Sequence, residues 1–337
     1  MIRKLLRKIR SYAEPKALVL LYHRVAEPHS DIWDLAVEPA RFEQQLHILK
    51  NIGNVTTANE LADRLIKQTL HRRSIVITFD DGYVDNYLAA KPLLEQYKLP
   101  ATFFIASGNL GQHKEFWSDE LDYYILFAEQ VPPVFSRTIN GQLVTINLDY
   151  EQRLTEDLIQ KHRQWKAYKE APPSRRAAMY YKLWELLKPL PYAEQQRELH
   201  HIREWAGLPL GSRPEYHSMS LEQVRELSAN SLFTMGAHTV THPALANHAP
   251  AFQRQEMLAS QQALTQMSSR EVSLLAYPYG NHTQETTLIA ADTGFKAAFT
   301  TAEQVITHRT DPYQMGRFQV ANWNGKEFLR RLQQWGK

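Results

Sequence analysis

The sequence predicts an α/β protein in which a parallel β/α barrel is interrupted by a helical insertion. Three observations carry the expectation. Short β-rich runs alternate with amphipathic helical stretches along most of the chain, the alternation makes seven or eight repeats, and one long central segment breaks the rhythm. Repeated βα units lay their strands side by side in parallel, and this number of them favours a barrel over an open doubly wound sheet. At 337 residues, 43% hydrophobic and 22% charged, the chain is long enough for one large domain or two small ones with substantial cores.

Taken in order, the chain opens on a basic segment. Ile2, Leu5, Leu6 and Ile9 fall at helical spacing and Arg3, Lys4, Arg7, Lys8 and Arg10 take the other face, which predicts a basic amphipathic helix over residues 1–16. Such a helix suits peripheral contact with an anionic membrane through residues 1–10, where each basic side chain adds about 1 kcal/mol. It suits equally well packing against the barrel end or another subunit. The barrel is expected over residues 17–337, with candidate strands at 17–22, 54–56, 74–79, 101–105, 232–235, 272–277, 297–300 and 318–321. Helical patterns lie between them at 41–49, 84–97, 252–267 and 286–292, and a last one at 328–335. Thr57 with Glu60 and Ser220 with Gln223 have the spacing of capping boxes and mark two helix starts. From about 116 to 217 the sequence reads as helical, rich in Trp, Tyr, Lys and Glu, with the breakers Pro132-Pro133, Pro172-Pro173 and Pro189. A loop of about 100 residues without structure of its own is improbable, so this stretch is expected to be a helical insertion on a βα loop, serving as lid, substrate platform, dimer contact or bulk.

Composition excludes several function classes. Cysteine is absent, so there is no disulfide framework, thiolate metal site or Cys nucleophile, and any metal must sit on His and carboxylate ligands. The net charge is +3, but with the five bases of the first decapeptide set aside, 34 basic residues face 36 acidic ones. A nucleic-acid partner, which needs a basic face to displace counterions, is therefore not expected. No run approaches the ~18 apolar residues that span a bilayer. The polar stretch 11–16 leaves no apolar core for a secretory signal, so the expected location is cytoplasmic, at the inner membrane face if the basic helix binds lipid.

Chemistry concentrates at three strand ends. In Ile75-Val76-Ile77-Thr78-Phe79-Asp80-Asp81-Gly82-Tyr83 an apolar run stops abruptly at two adjacent carboxylates and a glycine. Adjacent strand residues point opposite ways, but a turn beginning at Gly82 can bring both carboxylates to the barrel mouth, one to ligate and one to act as base. Alone, the triplet is more often only a turn. In Met235-Gly236-Ala237-His238-Thr239-Val240-Thr241-His242-Pro243 two histidines four residues apart come onto one side of a helical turn, a spacing suited to chelating a metal or to a backbone-bonded pair at a helix start. In Leu274-Leu275-Ala276-Tyr277-Pro278-Tyr279-Gly280-Asn281 a fixed-φ Pro and a permissive Gly can leave a backbone N–H aimed at the mouth as an oxyanion donor, or make a simple turn.

Together, in this order and each at a strand end, the three motifs resemble those of the polysaccharide deacetylase family with the NodB-type domain, carbohydrate esterase family 4. The resemblance covers roughly residues 17–115 and 216–320, and the pairing of Thr-Phe-Asp-Asp-Gly with His-Thr-x-x-His is highly specific. It implies a distorted (β/α)7-type barrel and a hydrolase that removes an N-acetyl group from an amino sugar. By the same resemblance Asp80 is the catalytic base, Asp81, His238 and His242 hold a divalent metal, usually Zn2+, and the Tyr279 amide helps form the oxyanion hole. A three-ligand site of this kind leaves positions for water and the acetyl oxygen.

Two departures matter. The family often takes its general acid from a Leu-x-His motif near the C-terminus, which is missing around His308. Members that open with a Tyr-His-x-Val/Ile strand resemble Tyr22-His23-Arg24-Val25, which makes His23 the candidate acid, against a role as a strand-end histidine that orients a neighbour. Many members also place an Arg just before the third motif to hold the catalytic Asp. Here Leu275 and Ala276 stand there, and Arg317 is the candidate substitute. Two rival readings from other classes fit less well. A two-His-one-carboxylate iron oxygenase has its carboxylate two residues from the first His, not 157 positions upstream. A catalytically silent carbohydrate-binding protein has no need of a base beside a metal ligand. The expected substrate is an N-acetylated carbohydrate, on a lipid or nucleotide carrier in the synthesis of a surface polysaccharide or glycolipid rather than in a finished polymer, and an O-acetyl ester could be cleaved by the same site.

Overall fold

In the computed structural model of the protein, residues 15–336 are described, so the basic segment 1–10 lies outside them. The chain divides into two compact units. Of the described residues, the first comprises 15–27, Ala36–Gly111 and 219–336, and the second Pro28–Leu35 and Gln112–Ser218.

The first unit is built on eight strands: β1 Ala17–Tyr22, β2 Val55–Thr56, β3 Ser74–Phe79, β4 Ala101–Ile105, β5 Phe233–Ala237, β6 Leu274–Ala276, β7 Ala297–Phe299 and β8 Phe318–Gln319. Their order is β7-β6-β5-β4-β3-β1-β8, with β2 also on β3, and every pairing is parallel. These are the eight runs expected from the sequence, shifted by one or two residues at some ends. The curl does not close on a continuous ladder. Between β7 and β8, Phe299 bridges Met315, and Ala298 and Thr300 bond to Pro312 and Met315 through their backbones. An irregular segment thus fills the gap, which is where the (β/α)7 barrel is distorted.

Strand alternation sorts the core into two layers. Ile75, Ile77 and Phe79 of β3 join Phe103, Leu20 and Tyr22 in the larger cluster beneath the helices. Phe79 stacks between Tyr22 and Phe103 at 5.3 and 4.9 Å, and each such ring contributes about 1.5–3 kcal/mol by burial. The opposite parity, Val76, Phe104, Leu274, Ala276 and Phe299, forms a smaller inner cluster. Gly236 is required there, because a Cβ on it would fall on the Phe104 ring. Continuing the inner parity of β3 from Val76 leads to Thr78 and then Asp80, so the interior turns from apolar to charged toward the strand ends.

Helices Pro39–Ile52, Ala58–Ile66, Lys91–Tyr97, Leu221–Ala229, Pro250–Ser268 and Gln284–Asp292 lie between the strands, and Gly325–Trp335 follows the last of them. Ser220 and Gln223 make the expected reciprocal capping box. Thr57 caps its helix too, but the Glu60 side chain turns to Thr56 and Arg64 instead of completing the box.

The second unit is not wholly helical, contrary to expectation. Four helices, Trp117–Asp122, Glu156–Gln164, Arg175–Leu187 and Tyr192–Trp205, accompany an antiparallel hairpin of Val134–Ile139 with Gln142–Asn147. Asn140 and Gly141 form its turn at φ 49 and 74°, a geometry that Asn-Gly adopts readily. Arg176, wholly buried, donates to the carbonyls of Glu151, Ile125, Ala128 and Gln152 and ties the hairpin exit to the helices. Among the described residues no helix is long and apolar enough to cross a membrane.

Candidate active site

The site lies in the first unit, at the C-terminal ends of its strands. The Asp80 N–H still pairs with Tyr22 O, 3.0 Å, as a continuation of the ladder. The chain then turns at Asp81, φ 72°, one residue before the expected turn at Gly82, φ 82°. Asp tolerates the left-handed region through its short polar side chain. Gly82 is obligatory for a second reason, since a Cβ would lie 2.9 Å from Ile105 Cγ2. Two successive left-handed residues are what turn both carboxylates to one side.

Asp80 is gripped by Arg317, whose Nη1 and Nη2 donate to Oδ1 and Oδ2 at 2.6 and 2.7 Å. Arg317 is 0% exposed and Asp80 2%. The guanidinium is itself aimed by Thr300 O, 2.9 Å from Nε, and by the Phe104 ring. Burial, the largest influence, would raise Asp80, but the charge and hydrogen bonds of Arg317, together with His238 and His23, outweigh it and hold the carboxyl below its usual range. Arg317 thus stands where the sequence suggested a substitute for the missing arginine.

His238 follows β5, its N–H bonded to Ile105 O. Its Nδ1 lies 2.8 Å from Ala276 O, an acceptor only, so Nδ1 carries the proton and Nε2 of the neutral ring offers a lone pair. The expected helical turn through His242 is not formed. Thr239 and His242 sit at φ 64 and 57°, conformations that cost on the order of 1–3 kcal/mol each and break any helix. The two histidines converge through a strained loop, with their Nε2 atoms 3.2 Å apart. Asp81 Oδ1 is 3.4 Å from the first and 3.2 Å from the second.

These three atoms fit a divalent cation. Ligands about 2.0–2.1 Å from zinc at tetrahedral corners lie roughly 3.3 Å from one another, which the spacings match. Asp81 Oδ1 is buried without a hydrogen-bond partner, and the three residues form a possible metal-holding group. Burial would raise Asp81, yet the two imidazoles hold it well below the usual carboxylate range. Burial lowers His242, and His238 is raised because Asp80 and Asp81 overcome its burial.

Tyr279 is also left-handed, φ 58°, and its ring meets that of His242 edge-on at 4.6 Å. His23, just past β1, is lowered chiefly by burial, against the pull of Asp81 and Asp80, and so stands within electrostatic reach of both. Its buried Nδ1 has no hydrogen-bond partner. Residues not singled out in the sequence fix it: Asn86 Nδ2 donates to His23 O at 2.8 Å, and Asp85 accepts from Val25 N and Arg24 Nε. Their signal was there to be read, as Asp85-Asn86 follows Asp-Asp-Gly after only two residues. All seven residues singled out from the sequence therefore lie in this unit.

The class of protein follows from this fold, this site and the match to the family model described as polysaccharide deacetylase, which spans residues 67–142 and 200–298. That is more than half of the chain, and the chain belongs to this family. Over 114 residues it is 33% identical to the poly-β-1,6-N-acetyl-D-glucosamine N-deacetylase of Staphylococcus aureus, covering 30% of this chain but only 39% of that enzyme. Two solved structures share the fold at 19% identity: the Streptococcus pyogenes deacetylase PplD in complex with acetate and IcaB from Ammonifex degensii. Their TM-scores are 0.53 and 0.56, covering 95 and 96% of this chain and 99 and 98% of theirs.

Proposed function

We propose that the protein is a metal-dependent hydrolase, with zinc as the metal, that removes the N-acetyl group from an amino sugar during surface polysaccharide or glycolipid synthesis. The observation that carries the reading is a charge-locked carboxylate, Asp80, directly beside three converging ligand atoms. A bound divalent cation would polarise the acetyl carbonyl and acidify water. Asp81 Oδ1, His238 Nε2 and His242 Nε2 would hold it.

Asp80, kept ionised by Arg317, takes a proton from the attacking water. The Tyr279 N–H donates to the oxyanion that develops on the acetyl carbonyl oxygen as water attacks its carbon. His23 then gives a proton to the departing nitrogen, which would otherwise leave as an unstable amide anion. Acetate and a free amine result.

The named activity of the S. aureus relative supports an N-acetylglucosamine substrate. We propose a lipid- or nucleotide-linked form, handled at the cytoplasmic membrane face with residues 1–10 as the lipid contact. The test is acetate release by the zinc-loaded protein from nucleotide-linked, lipid-linked and β-1,6-oligomeric N-acetylglucosamine. Release that a chelator abolishes and zinc restores is expected. Full activity in protein shown by elemental analysis to be metal-free would overturn the mechanism, and release from O-acetyl sugars alone would recast the protein as an esterase.

A further inference from the structure

The loop carrying His242 is held by a residue that no motif includes. Val240 N and Thr241 N both donate to Oε2 of Glu256 at 2.8 Å, and the Thr241 hydroxyl donates to its Oε1 at 2.9 Å. Glu256 lies on the helix Pro250–Ser268 and is buried. From the other side, the Ser107 and Gly108 N–H groups donate to the carbonyls of Thr239 and Val240 at 3.1 and 2.9 Å. Inside the loop, Thr239 Oγ1 accepts from His242 N at 3.2 Å.

We propose that Glu256 is a positioning residue that pre-forms the His238–His242 loop, so that both Nε2 atoms converge before a metal arrives. The proposal rests on the reading of Asp81, His238 and His242 as the metal site. Thr239 and His242 occupy left-handed conformations, uncommon for residues with a Cβ, and the β-branched Thr239 is the more strained of the two. A free five-residue segment would leave them. Two adjacent amides aimed at one carboxylate oxygen need an acceptor with no hydrogens of its own, and ionised Glu supplies it. Gln has the same shape but carries an NH2 group, so either that group faces the donors or one oxygen serves all three.

The test is zinc affinity of the full chain, measured by competition with a chromophoric chelator. Wild type is expected to bind one zinc, and Glu256→Gln to bind it about 10–100-fold more weakly, the range typical of outer-shell changes at metal sites. The melting temperature of the metal-free variant checks that its fold is kept. A second readout needs no variant: in metal-free wild type the amides of Val240 and Thr241 should already be protected from hydrogen exchange. Zinc affinity of Glu256→Gln within twofold of wild type overturns the proposal, as do Val240 and Thr241 amides that exchange freely until zinc is added. If the variant does not fold, the exchange measurement decides alone. Wild type that binds no zinc would instead overturn the metal reading, so the two failures are told apart.

Discussion

Replacing Arg317 by Met would keep a long apolar stem and remove both charge-assisted bonds to Asp80. The carboxylate would stay buried, with the imidazole of His238, its Nε2 3.8 Å away, as a remaining titratable neighbour and Thr300 O stripped of its donor. Removing one side of a buried pair typically costs about 3–5 kcal/mol. The same change leaves burial, the largest influence on Asp80, unopposed by Arg317, so its carboxyl should rise. In wild type the lowered Asp80 contributes stability above the unfolded-state pKa and loses it as pH falls through the lowered folded value. In Arg317→Met the raised group takes up a proton more readily. The deficit against wild type should therefore be largest near pH 8 and shrink in acid. Thermal unfolding at pH 8 and pH 5 reads the first effect. The acidic limb of kcat/KM for acetate release, which reports the base in the free enzyme, reads the second and should move to higher pH. Arg317→Lys, with one donor point instead of a fork, should fall between. Wild-type stability at pH 8 together with an unmoved acidic limb would refute the reasoning.

Asp80→Asn should keep zinc and fold but lose about 10²-fold or more in kcat, whereas Asp81→Asn should lose zinc. Elemental analysis beside activity separates them, and exchanged phenotypes would reverse the two roles. His23→Ala should lower kcat far more on an amide than on an aryl ester, whose leaving group departs unprotonated, with zinc content unchanged. Equal losses on both substrates would make His23 a positioning residue. Asp122 in the second unit is pushed from 3.8 to about 7 by burial. The folded state therefore retains a proton that the unfolded chain releases between those values, and stability falls as pH rises through that window. Asp122→Asn should raise the melting temperature at pH 8 and leave it nearly unchanged at pH 4. An equal shift at both would contradict the assignment.

How far the sequence is legible varies with the range of the forces involved. β3 is readable because Ser74–Phe79 is buried on both faces and must be apolar throughout. The charged stop at Asp80 and Asp81 then marks its end. The four motif residues converge as their spacing implies, although the helical turn proposed for the histidines is overridden by bonds to Glu256 and Gly108. Those partners lie 15 or more positions away and leave no local trace. Arg317 stands 237 residues from Asp80, so only the want of an arginine elsewhere pointed to it. The hairpin in the second unit is a different kind of miss. Asn140-Gly141 sits between alternating apolar residues, a short-range turn signal that the surrounding helical composition obscured.

β1 lies between β3 and β8, so the first described strand and the last are neighbours. His23 leaves one and Arg317 leads into the other. During synthesis, the ligands and both carboxylates leave the ribosome well before the guanidinium that is to neutralise Asp80. A chain released short of residue 317 would lack the counter-charge of Asp80 and, with it, the core side chains of Phe318, Val320, Phe328 and Leu332. Synthesis must therefore pass residue 317 before the strands made first gain both packing and charge balance.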